Sequence, residues 1–501
     1  MKMNDVTYRE KPVVGYKLVL GYLGVLLMII GTIVLLPLLT LFFYPQDINE
    51  ATYFILPGVL SIIIGYFLYF LIRGKEKGRL ERNQDAIIVV TCWILAIVIT
   101  ATPFMLSGKY NFTQAVFEMT SAWSTTGLTV VDVENTSHLF LMHRSTVLFF
   151  GGVGLVLIML SVFSDSHGMQ LYNAEGHSDR LLPNLIKSAR IILSIYLCYI
   201  IAGVILYVIF GMPLFDAVLH SIGALSTGGF SNRAESIAYY DSFPIELITI
   251  ILMILGNINF LAHLFLLRGK LRNFFHYCEI KCQTIVIAVA TPMIAFIFIY
   301  ALQWNVSDGF RASLFQVVSA LTTTGFQTVP SFHALPSAIL TVLIVVQLIG
   351  GGIGSTAGGI KQYRIWVLAK SAYWKIRSQY LSNKVVYTKK IYRIDKLDKV
   401  ENHEIIDCGI YVFVYLCIFF LGSFLLSCYG FSLQDCMFEF SSALSTVGLS
   451  AGIMTYDAPS LVLWIGTIGM FIGRLEIFIV FMAFIKIKDQ IKKALKFERR
   501  K

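Results

Sequence analysis

Four short uncharged segments of this chain share one pattern: "SAWSTTGLT" (121–129), "GALSTGGFS" (223–231), "SALTTTGFQ" (319–327) and "SALSTVGLS" (442–450). Aligned on Gly127, Gly229, Gly325 and Gly448, each copy has Ala five residues earlier, Ser or Thr three earlier, Thr two earlier, and Leu or Phe just after. The register extends upstream to "AVF", "AVL", "SLF" and "CMF", which begin twelve residues before each glycine. A lone T-x-G carries no signal; four copies in register define an internal repeat. The widest interval, between Gly325 and Gly448, accommodates a basic insertion at about 362–404.

The repeats alternate with apolar runs such as "YKLVLGYLGVLLMIIGTIVLLPLLTLFFY" (16–44) and "YFILPGVLSIIIGYFLYFLIR" (53–73). Such runs exceed the roughly 18 apolar residues that mark a membrane span. Only 14% of the 501 residues are charged, against about 25% in an average soluble domain, and mean hydropathy is +0.73. The chain therefore belongs in a bilayer. Each unit opens with a long apolar helix, at about 85–107, 187–211, 281–303 and 405–430. A short amphipathic piece follows, then the Gly motif, an acidic or polar stretch, and a second long helix. A piece of roughly a dozen residues cannot cross about 30 Å of hydrocarbon at about 1.5 Å per residue, so it must dip in and return. The four copies are then parallel, related by an axis along the membrane normal.

The expected fold is an all-α polytopic membrane protein: four parallel helix–pore-loop–helix repeats in a pseudo-fourfold arrangement, plus an N-terminal helix pair. The expected divisions are the two-helix region 1–83, repeat 1 at 84–166, repeat 2 at 167–268, repeat 3 with its cytoplasmic loop at 269–404, and repeat 4 with its basic tail at 405–501. Of the net charge of +10, Lys and Arg gather in the N-terminus, 73–82, 268–272, 361–404 and the tail, whereas the intervening segments carry acids such as Asp47, Asp132, Asp216, Asp308 and Asp435. Basic loops remain in the cytoplasm, which predicts an uncleaved cytoplasmic N-terminus, a cytoplasmic C-terminus and a multi-pass plasma (inner) membrane protein. Basic loops also meet anionic lipid; nothing resembles a nucleic-acid reader module.

The eight cysteines form neither a disulfide framework nor a metal pattern. No H-E-x-x-H occurs, and His263, within a span, reads as a hydrogen-bonded packing residue. Convergent titratable groups of the kind an enzyme needs are few, so no catalytic residues are expected.

Irregular backbone survives at membrane depth only where protein buries it or where it lines water. Four re-entrant segments about one axis would aim rows of carbonyls at a central path and replace the hydration shell of a monovalent cation. Glycine at 127, 229, 325 and 448 allows the required backbone angles. The residues so placed are Thr125, Thr126 and Gly127; Thr227, Gly228 and Gly229; Thr323, Thr324 and Gly325; and Thr446, Val447 and Gly448. The competing reading, small residues as helix-packing glue, sets no common topological position for four copies.

Two further segments matter. "QLIGGGIGSTAGGIKQYR" (347–364) interrupts an apolar helix: Gly350, Gly351, Gly352, Gly354, Gly358 and Gly359 each weaken a helix by about 1 kcal/mol, so an intramembrane loop beneath the motifs is expected. Gly359 precedes Ile360 rather than Lys, which excludes a phosphate-binding loop. In "MFIGRLEIF" (470–478), Arg474 sits in an apolar helix at a cost of about 2.5–3.5 kcal/mol and should face a cavity or partner. Glu476, two residues on, cannot share its helical face.

This pattern resembles the Trk/Ktr/HKT superfamily of potassium transporters over nearly the whole chain. The N-terminal helix pair and the "GRLE" stretch make it most similar to the membrane-subunit branch of bacterial potassium uptake systems. The resemblance implies potassium as the transported ion, a filter at the four glycines, and a gate formed by loop 350–361, with Lys361, and Arg474. It also implies a homodimer that works with a cytoplasmic, TrkA-like nucleotide-binding regulatory subunit, no nucleotide being bound in this chain. All four filter positions are glycine, whereas sodium-selective plant relatives carry serine at the first, which argues for potassium. The alternatives are a KtrB-like sodium-stimulated transporter and a coupled secondary cation transporter.

Overall fold

The computed structural model describes residues 16–70, 84–154, 185–380, 388–393 and 396–498. The N-terminal stretch, the basic stretch 73–82 and the boundary set at 166/167 lie outside these residues. Helices α1 (Tyr16–Leu35) and α2 (Ala51–Phe70) pack closely through the pairs Gly24–Gly65 and Gly31–Gly58. The apolar run 16–44 is not one α-helix. It tightens into 3-10 turns at Leu36–Phe42, with a second 3-10 segment at Pro45–Glu50, because Pro37 removes a backbone donor and clashes with the preceding turn.

Four long apolar helices stand within a few residues of where the hydropathy puts them: α3 (Gln84–Leu106), α6 (Leu185–Ile209), α11 (Cys278–Tyr300) and α15 (Asn402–Ser427). Among the described residues, six helical spans are long and apolar enough to cross a membrane. Each of the four long helices leads into a short one: α4 (Phe112–Trp123), α7 (Leu214–Leu225), α12 (Val306–Leu321) and α16 (Leu433–Ser445).

The second helix of each unit differs from the long helix expected. α5 (His138–Val153), α8 (Phe243–Asn257), α13 (Ser337–Ile349) and α17 (Ser460–Arg474) have 16, 15, 13 and 15 residues. At about 1.5 Å per residue none spans the hydrocarbon. α8 breaks before α9 (Phe260–Leu267), which is followed by the short α10 (Leu271–His276). α13 opens into loop 350–361 before α14 (Gln362–Tyr380), and α17 turns by 100° into α18 (Ile477–Glu498). Of these three breaks, the one after α13 carries the run of glycines. The other two carry Asn257 and Asn259, or Arg474 and Glu476, within otherwise apolar sequence, which hides them in the hydropathy.

The insertion 361–404 is mostly α14 and an antiparallel hairpin, β1 (Lys390–Arg393) with β2 (Lys396–Lys399), so the chain is not wholly α. Ile391 is buried while Lys390 lies opposite Lys399. One apolar core joins α1, α3, α4, α5 and α18. A second joins α11, α12, α13, α15, α16 and α17 and takes in Phe117 of α4. A third ties α6, α7 and α8 to Phe315 and Val318 of α12. The short helices thus sit at the junctions between units.

Candidate functional site

All four short helices end in the same turn. The N–H two residues before each motif glycine donates to the carbonyl of the repeated alanine: Thr125 to Ala122, Thr227 to Ala224, Thr323 to Ala320 and Thr446 to Ala443, at 3.1 to 3.3 Å. The next N–H reaches one residue further back, in Thr126 to Ser121, Gly228 to Gly223, Thr324 to Ser319 and Val447 to Ser442, at 2.8 to 3.0 Å. This pair of bonds is the Schellman closure, which needs a left-handed residue at its corner. Glycine usually fills that corner; here threonine does, with φ of 56° at Thr125, 51° at Thr227, 53° at Thr323 and 56° at Thr446. A β-branched residue in that region is strained, and surrounding structure must hold it.

The motif glycines follow with φ of 95°, 56°, 87° and 99°. A Cβ on Gly127 would overlap the Gly228 carbonyl, on Gly229 the Thr324 carbonyl, on Gly325 the Val447 carbonyl, and on Gly448 the Thr126 carbonyl. Each unit therefore presses one carbonyl against the glycine of a neighbour, and the four contacts close into a ring. Positive φ and the absence of room for a side chain both require glycine there.

A layer of polar side chains supports the ring. Nine residues before the glycines stand Glu118, His220, Gln316 and Glu439, all buried. Glu118 accepts from Thr129 Oγ1 at 2.9 Å, Glu439 accepts from Ser450 Oγ at 2.9 Å, and His220 Nε2 lies 3.0 Å from Ser231 Oγ. These partners are the second residue after each glycine. Gln316 donates instead to Thr328 Oγ1 at 3.2 Å. Arg144 of α5 pairs with Glu118 at 2.6 Å with both side chains buried, and its guanidinium lies 4.1 Å from the Phe230 ring, which ties the first unit to the second.

On the side where the short helices begin, a cavity of about 220 Å³ is lined by all four glycines, with Arg144 and Arg233 in its wall. In the exposed loop beyond Gly127, Asn135 Nδ2 donates to Asp132 at 2.7 Å. That bond holds the Asp132 carboxyl below its ordinary value, so it remains ionised near neutrality.

On the opposite side, loop 350–361 lies against the corner threonines. Thr227 Oγ1 donates to Thr356 Oγ1 at 3.0 Å, Thr125 Oγ1 reaches the Thr356 carbonyl at 3.5 Å, and Thr323 Oγ1 accepts from the Gly358 N–H at 2.9 Å. A Cβ on Gly358 would overlap Thr446 Oγ1. All four units thus meet one short segment. The neck of the loop is stitched by Gly351 N–H to the Gly358 carbonyl at 3.0 Å and Gln362 N–H to the Gly351 carbonyl at 2.8 Å. Gly350 and Gly359, with φ of 67° and 80°, pass too close for side chains. Gly352 donates to the Asn257 carbonyl at 3.2 Å, Gly354 accepts from Phe260, and Ile353 N–H donates to Glu279. Lys361 turns back to donate Nζ to the Ala357 carbonyl.

Arg474, where α17 ends, donates Nη1 to the Thr356 carbonyl at 2.9 Å and Nη2 to the carbonyls of Gly151 and Gly152 at 2.6 and 3.2 Å. Glu476 does not meet Arg474 in this way; it pairs with Arg364 at 2.7 Å. His263 is buried with Nδ1 3.4 Å from the Tyr199 hydroxyl.

The structure brings together all twelve motif residues and, beneath them, the six loop glycines, Lys361 and Arg474. Sequence reasoning missed Glu118, Arg144, Glu439 and Thr356. The signal for the first three was available: an acid nine residues before the glycine in two of four copies, and an arginine in "LFLMHRSTVLFF" (139–150).

A family model described as TrkH, cation transport protein, matches residues 50–494. The chain is 33% identical to an uncharacterised cation transporter of Methanocaldococcus jannaschii, over 93% of this chain and 94% of that one. It is 27% identical to the Trk system potassium uptake protein TrkH of Salmonella typhimurium, over 94% and 98%. Its fold is similar to the crystal structure of the potassium transporter TrkH from Vibrio parahaemolyticus, with a TM-score of 0.81, 25% identity, and coverage of 94% and 98%.

Proposed function

Because this chain belongs to the TrkH family of cation transport proteins, we propose that it carries potassium ions across the plasma membrane through a gated pore. The carrying observation is the closed ring of contacts among Gly127, Gly229, Gly325 and Gly448. In this reading the four units at 84–166, 167–268, 269–404 and 405–501 stand in pseudo-fourfold order beside the N-terminal pair 1–83. The carbonyls of Thr125, Thr126 and Gly127 and of the matching nine residues line the axis and replace the water of a dehydrated potassium ion. The motif side chains are uncharged, so no fixed anion among them binds the ion tightly enough to stop it. Ionised acids such as Asp132 raise the local cation concentration at the outer mouth.

Loop 350–361, with Lys361, and Arg474 are the gate, and the conformation described here is closed. The segment Thr356–Gly358 fills the space beneath the ring, and the Arg474 charge opposes a cation there. Opening requires the loop to leave the four threonines. The basic insertion that continues from the loop is the handle. In the hairpin, Lys390 faces Lys399, an arrangement that costs stability by itself and favours an acidic surface alongside. A cytoplasmic, TrkA-like nucleotide-binding subunit on that handle, and a homodimer of this chain, extend the proposal. So do cytoplasmic termini and a chain that transports without catalysing a reaction.

The test is flux into vesicles in potassium and in sodium, with Gly127→Ser beside the unmutated protein. A side chain at 127 displaces the Gly228 carbonyl, so the potassium preference should fall about tenfold, equivalent to about 1.4 kcal/mol. An unchanged ion preference in a folded variant rejects the ring as the filter. Saturable uptake at a fixed stoichiometry with a second ion rejects the pore in favour of coupled transport.

A further inference from the structure

We propose that the outer rim of the second repeat holds one aminophospholipid, its acyl chain lying against the short helix α7 and its headgroup in a polar chamber above. The inference rests on the proposed orientation only for which leaflet supplies the lipid.

A slot of about 460 Å³ opens between the 3-10 segment Leu36–Phe42, α5 and α7. Its walls include Leu39, Phe43, Phe149, Leu214, Val218 and Ile222. The last three are four residues apart and form one face of α7. Leu39, Phe43 and Leu214 are 60%, 80% and 63% exposed, so apolar surface here lies uncovered beside a helix that ends at the motif.

A second chamber of about 590 Å³ shares Tyr44, Leu214 and Phe215 with the slot, and Glu134, His138, Asp216 and Arg233 line its other side. Both volumes fall within the range of ordinary ligand sites. Tyr44 stacks on His138 at 3.8 Å, and Phe215 stands edge-on to both at 5.4 and 4.9 Å. This aromatic collar sits where the lining changes from apolar to polar. Such rings gather where hydrocarbon gives way to headgroups. An amphiphile matches both compartments.

Charge selects the headgroup. Asp216 is neutralised by Arg233, whose Nε and Nη2 lie 3.0 and 2.8 Å from Oδ2, and it also accepts from Asn232 and Tyr240. Glu134 stands exposed in the same chamber, where Arg233 is engaged by Asp216 and His138 lies 3.5 Å from Asp47. A zwitterion with a primary ammonium for Glu134 and a phosphate for the partly exposed Arg233 complements this chamber; a purely anionic headgroup leaves Glu134 facing a like charge. The site also touches the transport machinery. Ile222 lies in the last turn of α7, and Phe150, in the slot wall, precedes Gly151, whose carbonyl receives Arg474.

The experiment places the full chain in phosphatidylcholine vesicles containing a phosphatidylethanolamine with a photoactivatable tail, and maps the labelled peptides. Label should fall on 138–153 and 214–225 and be competed by unlabelled phosphatidylethanolamine before phosphatidylglycerol. Val218→Trp, which fills the slot, should reduce labelling about tenfold. Thr146→Phe acts from the opposite wall and keeps the test readable should the first variant not fold. Glu134→Gln should remove the headgroup preference. Label elsewhere, or label undiminished by either slot variant, overturns the proposal. So does native mass spectrometry showing a lipid-free dimer that Val218→Trp dissociates, since a second copy would then cover the slot.

Discussion

Arg474 joins three backbone carbonyls from two different units, and only one of those bonds, Nη1 to Thr356 at 2.9 Å, holds the mobile partner in the proposed gate. Arg474→Ala removes that bond and the charge together. A hydrogen bond to a charged group is worth about 1.5–3 kcal/mol net, which shifts the closed-to-open ratio about ten- to hundredfold. The lower end is the working figure, because Thr356 keeps its contacts with Thr227 Oγ1, the Leu225 carbonyl and the Gly256 carbonyl. Single-channel recording from planar bilayers reads this directly as a rise in open probability of about tenfold. Arg474→Lys separates the two contributions. It keeps the charge but loses the planar fork that spans carbonyls of two units, so a latch predicts opening in both variants and a purely electrostatic barrier only in the alanine. Unchanged open probability in folded Arg474→Ala refutes the gate assignment.

The buried pair Glu118–Arg144 should behave as a strut. Removing either partner leaves a buried charge uncompensated and costs about 3–5 kcal/mol, visible as a large loss of thermal stability in detergent, whereas the double replacement by Gln and Met should recover much of it; a single variant that melts with the unmutated protein contradicts this. In the hairpin, Lys390→Gln with Lys399→Gln relieves the like-charge pair while removing the anchor for an acidic partner. Affinity for the proposed cytoplasmic regulatory subunit should drop about tenfold and become less sensitive to salt. Equal affinity and equal salt dependence would move the partner's site elsewhere.

The apolar runs made the long first helices of all four units legible, because 20 or more residues without charge leave few other choices. The short helices were legible from their length and from the register of Ala122, Ala224, Ala320 and Ala443. That register is a backbone requirement: these are the residues whose carbonyls close the helix ends. The breaks after Asn257 and Arg474 were not legible. "GNINFLAHLFLL" (256–267) and "GRLEIFIVF" (473–481) place two polar or charged residues at the bend but resume an apolar run just after it, and what stops the helix is tertiary: Asn257 gives its carbonyl to Gly352, and Glu476 adopts a φ of 58° while pairing with Arg364. Thr356 was invisible for the same reason, since nothing local distinguishes it from Ser355.

The four left-handed threonines explain why the motif is not simply glycine-rich. Glycine at 125, 227, 323 and 446 would relieve strain of about 1–2 kcal/mol at each corner. The threonine hydroxyls, however, are what loop 350–361 meets: Thr227 and Thr323 bond it directly, Thr125 reaches the Thr356 carbonyl, and Thr446 abuts Gly358. The same residue whose backbone turns the carbonyls of one ring therefore supplies the side chain that seats the segment below. In the proposed reading filter and gate share this corner, so withdrawal of the loop would change what holds the strained residues in place. Under that proposal, ion occupancy above and loop position below would be coupled through the four backbone turns at Thr125, Thr227, Thr323 and Thr446.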